Sequence, residues 1–308
     1  MKPHAEYQFK KALSAMRNSG GGTLFVHVCD DISKGENTFR TTVVPVLESL
    51  LTDDETMSDA FSWRSLESRQ GQVYKIEVLP SDTFIPVDVK TKLSGWCRDK
   101  HVSASFQKLR PLLLFPRNVS TAEPTVQGLT RINQVDAVKI YVDNIPWYYS
   151  LHAPFHASSA LVNAIIDDHS LPEYVTSVSK RKQGGSVYVG QRRYDKTDDM
   201  SGVPYPMEWG KYGLQSMLAD RLQKEIFIFK NRHSNVVLKT KDVFQIEIHD
   251  TGPNSGIIEV AVRPVDGCVF TDALGPVSFR IENKSLGEHH YKAFVRLSID
   301  EWMETASG

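Results

Sequence analysis

Apolar and polar positions along the chain fall into a short unit that occurs twice. In residues 6–31, EYQFKKALSAMRNSGGGTLFVHVCDD, the side chains Phe9, Leu13 and Met16 recur at helical spacing. Gly20, Gly21 and Gly22 then end the helix where positive φ is required, and TLFVHV runs on as an extended segment. In residues 173–193, EYVTSVSKRKQGGSVYVGQRR, Tyr174 and Val178 precede Gly184 and Gly185, and SVYVG has the aromatic and β-branched make-up of a strand. The pattern predicts helix, glycine turn and strand, once in each half.

Each unit is followed by further apolar runs. TTVVPVLESLL predicts a helix started or interrupted by Pro45, QVYKIEVLP predicts a strand, and FIPVDVK is a further apolar run. In the second half YGLQSMLADRLQKEIF predicts an amphipathic helix; DVFQIEIHD, GIIEVAVRP and CVFTDA predict strands, and LSIDEWMETA a closing helix. Residues 112–130 carry two prolines and small polar residues, as a linker does. Strands outnumber helices and helices separate them, so the expected class is α+β with mostly antiparallel sheets.

Composition narrows the field. Of 308 residues, 41% are hydrophobic and 24% charged, as in ordinary globular proteins, and the length accommodates two domains. The formal net charge of −1 sets aside binding to nucleic acid by bulk attraction, so any such binding must rest on a local basic surface. Three cysteines, Cys29, Cys97 and Cys268, are far apart and odd in number, which fits a reducing compartment better than a disulfide framework. The opening MKPHAEYQFKKAL lacks the apolar core of a signal peptide, and no run approaches a membrane span. A cytoplasmic or nuclear protein is expected, with the sequons at Asn118 and Asn283 unglycosylated.

With the repeat in view, the second half resembles the C-terminal lobe of the schlafen core. That lobe has a helix ending in an alanine-phenylalanine-alanine-asparagine stretch, two glycines and an apolar strand, matched here by EYVTSVSKRKQGGSVYVG. GIIEVAVRPVDGCVFTDALG and RLSIDEWMETA are similar to its last strand pair and its tryptophan-containing helix, and ALSAMRNSGGG is similar to the N-terminal lobe. The resemblance spans nearly the whole chain. It implies two pseudo-symmetric schlafen-like, AlbA-type lobes, 1–125 and 126–308, forming a horseshoe whose central groove holds structured RNA such as transfer RNA. Active members of that family are endoribonucleases that hold metal ions on three carboxylates.

Metal-assisted cleavage of a phosphodiester needs carboxylate oxygens converging on Mg²⁺ or Mn²⁺. One family carboxylate follows the strand after the glycine pair, a place taken here by Gln191, Arg192 and Arg193. The other two lie upstream, where no acid stands between Asp143 and Asp167. Two arginines in place of an acid repel a divalent ion, so the family's metal site is expected to be missing unless Asp143, Asp167 or Asp168 substitutes. The family's zinc site is expected to be missing as well: KEIFIFKN replaces its His-x-Cys, and Gly267 with Cys268 its cysteine pair, leaving one thiol where tetrahedral zinc needs four ligands. Cys268 is expected to be a small buried residue. His152 and His156 have the four-residue spacing of paired ligands, but Pro154 between them argues against regular helix. Cys29, Asp30 and Asp31 follow the first strand and read as a catalytic pair or as a solvated turn.

Two windows are locally basic. Lys180, Arg181, Lys182, Arg192 and Arg193 flank the second glycine pair; Lys224, Lys230, Arg232, Lys239 and Lys241 surround the next helix and hairpin. On a groove wall they would neutralise phosphates and make binding steeply salt-dependent, with Tyr148, Tyr149, Tyr188 and Tyr194 available to stack on bases. The expected function is RNA binding without autonomous nuclease activity and without a cofactor, Mg²⁺ or Mn²⁺ entering only if a partner completes the site. One alternative is a subunit of a heteromeric metal-dependent endoribonuclease of the kind that processes precursors of PIWI-interacting RNAs, its site completed by a second schlafen-like or other chain. The other is a protein-interaction scaffold that binds no RNA.

Overall fold

The computed structural model describes residues 1–29, 32–52, 55–68, 71–82, 85–88, 92–94, 101–103, 106–115, 117, 119, 122–134, 137–142, 154–193, 199–205, 210–231, 238–286 and 289–301. In chain order its elements are α1 (Pro3–Arg17), β1 (Gly22–Cys29), α2 (Ile32–Thr42), α3 (Val44–Glu48), α4 (Met57–Ala60), β2 (Phe61–Ser68), β3 (Gly71–Val78), β4 (Lys92–Ser94), β5 (His101–Ser103), α5 (Phe106–Leu114), β6 (Val138–Tyr141), α6 (Pro154–Asn163), α7 (Leu171–Ser179), β7 (Gly185–Arg192), β8 (Met200–Ser201), β9 (Val203–Pro204), α8 (Gly210–Glu225), β10 (Phe227–Lys230), β11 (Phe244–Gly252), β12 (Ser255–Val262), β13 (Gly267–Phe270), β14 (Phe279–Leu286) and β15 (His289–Arg296). The mixture is α+β, and among the described residues every strand pair is antiparallel except β6 with β7.

The chain divides into two units, Met1–Val89 with Leu274–Gly308, and Lys90–Ala273. The expected boundary at residue 125 falls inside the second unit, because each unit takes a hairpin from the far half of the chain. In the first, β14 and β15 pair and β14 lies against α1; in the second, β4 and β5 pair and β4 lies against α7. Asn18 and Ser19, just past α1, fasten the first of these hairpins: the Asn18 amide donates to the Phe279 carbonyl at 2.9 Å, and the Ile281 N–H donates to the Ser19 hydroxyl at 2.8 Å.

In the first unit the sheet order is β1-β3-β2, and α1, α2 and α3 cover one face. Pro3 sits in the first turn of α1, where its missing N–H costs nothing. Leu13, Phe39, Leu47, Phe61, Tyr74, Ile76 and Val78 form the core, with the Phe39 and Tyr74 rings stacked at 3.9 Å.

The second unit repeats this arrangement and extends it. Its sheet runs β11-β12-β7-β6, with α6, α7 and α8 over the face that carries Val187, Val189, Ile246, Ile248, Ile258 and Val260. Leu214, Leu218 and Leu222, one turn apart, turn one side of α8 into this core, as its amphipathic pattern predicts. The registers of the two units coincide. Gly22 and Phe61 both oppose Val78, and Gly185 and Phe244 both oppose Val262. Phe25 opposite Lys75 thus corresponds to Tyr188 opposite Glu259, and Arg64 corresponds to Glu247.

The glycine turns are equivalent too. Gly21 has φ +79° and Gly184 φ +71°, where an L side chain is strained. A Cβ on Gly21 would stand 2.5 Å from the Val78 carbonyl oxygen, and one on Gly184 2.1 Å from that of Val262. Each helix therefore turns into its strand against the end of the neighbouring strand, closer than any side chain permits.

On its other face the second sheet meets the end of the 112–130 stretch that reads as a linker, and residues just after it. Leu129, Ile132 and Ala137 pack on Tyr188, Met200 and Ile257. The chain then enters β6, which pairs in parallel with β7. Among the described residues, nothing equivalent adds a strand to β1.

Candidate nucleic-acid interface

The basic residues read from the sequence occupy three different places. Register brings one group together: the starts of β7 and β11 both lie opposite the end of β12, at one end of the second sheet. Arg181 and Lys182 occupy the turn into β7, and exposed Lys239 and Lys241 stand just before β11. Lys230, also exposed, ends β10, where Asn231 N–H donates to the Asp266 carbonyl; Val265 N–H in turn reaches Ser179 at the foot of α7. Two carboxylates near this end are turned to backbone: Asp242 accepts the Lys239 N–H at 3.0 Å, and Asp266 the Arg117 N–H at 3.0 Å. Among the described residues no carboxylate forms a salt bridge with Lys182, Lys230, Lys239 or Lys241. Arg232 lies outside the described residues.

Arg192 and Arg193 are exposed at the opposite end of β7, about 23 Å away for an eight-residue strand. The Arg192 guanidinium lies 4.7 Å over the Tyr141 ring, and Arg193 stands 4.0 Å from the Asp199 carboxylate. One cluster in sequence is therefore two sites in space.

Lys180 belongs to neither. It is 7% exposed, and its ammonium donates to the carbonyls of Thr176 at 2.7 Å and Val269 at 3.1 Å. It occupies the position that buried Arg17 holds in the first unit, five residues before the strand. Arg17 pairs there with Glu55 and donates to the Leu79 carbonyl at 3.1 Å, whereas carbonyl oxygens hold the Lys180 ammonium. Burial pulls the Lys180 ammonium down to about 8, and the Cys268 thiol nearby, also buried, is pushed up to about 11. The Arg117 guanidinium, lowered by burial, donates to the carbonyls of Lys180 and Val265. These groups hold the interior end of α7; Lys180 is not available to a phosphate. Cys268 is fully buried, as expected.

Tyr188 is likewise removed from the candidate stacking residues. It is fully buried, its hydroxyl donates to the Gly128 carbonyl at 2.9 Å, and burial together with the Glu259 carboxylate pushes it up to about 12. Tyr148, Tyr149 and Tyr194 lie outside the described residues.

Glu259 is a polar centre that the sequence pattern did not reveal. Its carboxylate accepts the Ser186 hydroxyl at 2.6 Å and the N–H groups of Gln127 at 2.7 Å and Gly128 at 2.9 Å, and bonds His249 Nε2 at 2.8 Å. Burial alone would raise its pKa; these four partners outweigh burial and hold it below the ordinary value. Its signal was a lone acid in the apolar run GIIEVAVRP. The contacts clamp residues 127 and 128 onto the sheet.

Asp167 pairs with Arg221 at 3.3 Å, Asp168 is exposed, and Asp30, Asp31, Asp143 and His152 lie outside the described residues. Pro154 is the first described residue of α6. Among the described residues no three His, Cys, Asp or Glu side chains group as metal ligands do, and no helix is long and apolar enough to cross a membrane. No protein-family model matches the chain, and no curated protein is significantly similar to it.

Proposed function

We propose that this chain binds structured RNA, transfer RNA being the class implied by the schlafen resemblance, through the basic end of the second sheet, and that it does not cleave RNA by itself. The observation that carries the reading is the gathering of Arg181, Lys182, Lys239 and Lys241 at the starts of β7 and β11, with Lys230 at the end of β10 and with Asp242 and Asp266 turned to backbone. Lysines held at one sheet end, with no carboxylate partner among the described residues, release counterions when phosphates replace these, which gives a binding site despite a near-neutral whole. The lack of cleavage is supported by Gln191 and Arg192, which end β7, and Arg193, which follows them, where the resemblance calls for an acid.

Binding of fluorescein-labelled transfer RNA at low salt tests this. Lys182→Glu/Lys239→Glu/Lys241→Glu should weaken affinity by at least tenfold, and Arg192→Glu/Arg193→Glu, at the other end of β7, by much less. Equal losses would move the site away from the basic end, and no binding by the wild-type chain would remove the proposal. Mn²⁺-dependent cleavage by the pure chain, abolished by changing one carboxylate, would overturn the second half of it.

A further inference from the structure

The two units share a register but differ in what covers their sheets. In the second unit Gln127, Gly128, Leu129, Ile132 and Ala137 lie on the face carrying Tyr188 and Glu259, and β6 closes the edge of β7. Tyr188 is 0% exposed under this cover, and Val187 and Val189, on the helix-covered face, are 0% exposed too. In the first unit the matching residues of β1 are uncovered: Phe25 is 62% exposed, while Leu24 and Val26, which point toward the core, are only half-buried. β1 pairs with β3 alone among the described strands. An edge strand with an exposed aromatic ring and half-covered core side chains is an open template for another strand.

We infer that the first unit takes one added strand: an extended peptide of alternating apolar residues, lying parallel to β1 and bringing a carboxylate over Lys75 and Arg64. The second unit shows the fitting occupant in its own chain, where Val138, Ile140 and Val142 are buried at alternate positions and the preceding residues cross the sheet face. The charges define the difference. Where Glu259 accepts the N–H groups of Gln127 and Gly128, the first unit has Lys75, and where Glu247 stands it has Arg64. Glu77, opposite Thr23 and Ser62, bonds Lys75 at 2.6 Å, so among the described residues of these three strands this face has one more cation than anion. A face built this way repels the donor-presenting backbone that suits the second unit and attracts an acceptor. Main-chain pairing along β1 would supply affinity, and the ring of Phe25 with the Lys75 and Arg64 charges would supply selectivity. This inference is independent of RNA binding at the basic end.

Hydrogen exchange with mass spectrometry, read over residues 22–29, tests it on the full chain. Alone and dilute, β1 should exchange at least tenfold faster than β7. A synthetic peptide with the sequence of residues 124–142 carrying Gln127→Glu should slow exchange in β1, and Phe25→Asp should weaken that effect by at least tenfold. In the Lys75→Glu variant the preference should invert, the unaltered 124–142 peptide protecting better than the acidic one. Failure of both peptides to protect β1 would overturn the inference. So would protection that rises with protein concentration alone, which would make the occupant a second copy, or protection by oligouridylate in place of the peptide.

Discussion

Lys180 and Glu259 are both buried ionisable groups whose pKa the fold lowers, so each makes stability rise with pH, in different ranges. Lys180 releases its proton near pH 8 in the folded chain, whereas an unfolded lysine keeps it to about 10.4. Between those values the unfolded state binds more protons, so this group makes stability rise with pH. Cys268 opposes it: the folded thiol keeps its proton to about 11, the unfolded one loses it near 9, and over that range stability falls as pH rises. Urea denaturation should therefore show stability climbing by about 1 kcal/mol from pH 8 to 9 and flattening above. Lys180→Met should abolish the climb, and Cys268→Ala should extend it toward pH 10.

Glu259 has its folded pKa lowered, so its contribution is complete above about pH 4.5 and drains away as pH falls through the folded value. Glu259→Gln turns amide protons toward groups that already donate. It should cost about 3 kcal/mol at pH 7, measured by thermal or urea unfolding, and should flatten the acid limb of the stability profile.

At the scale of elements, the repeated helix, glycine turn and strand was legible because each part has its own local cause: periodic apolar residues, positive φ, and a β-branched run. Gly184→Ala should therefore destabilise by about 2 kcal/mol in urea unfolding, since it combines φ strain with a clash against the Val262 carbonyl. Other elements were illegible for equally physical reasons. β2, β14 and β15 interleave charged residues with apolar ones, as FSWRSLES, FRIENKSL and HHYKAFVR do, and give no clean run to read. Residues 112–130 look like a linker because the cover that Gln127 and Gly128 give the sheet depends on their backbone N–H groups meeting Glu259, more than a hundred residues away. The basic cluster at 180–193 failed as a unit because an extended strand separates its ends, while helix burial hides its first member.

At the scale of the whole molecule, the exchange of hairpins between halves of the chain is invisible to any reading that proceeds by segments. It accounts for the difference between a boundary expected near residue 125 and units that meet near residues 89 and 273. Net charge is equally blind to arrangement, since a formal −1 is compatible with a sheet end that gathers lysines in salt bridges with no carboxylate among the described residues. The central functional proposal rests on that arrangement, and its most direct test is the salt dependence of transfer-RNA affinity for the wild-type chain and for Lys182→Glu/Lys239→Glu/Lys241→Glu. If those lysines meet phosphates, the logarithm of affinity falls linearly with the logarithm of salt, and the slope becomes shallower by about 1 for each lysine–phosphate pair removed. An unchanged slope in the triple variant, or an affinity insensitive to salt, would contradict RNA binding at this end of the sheet.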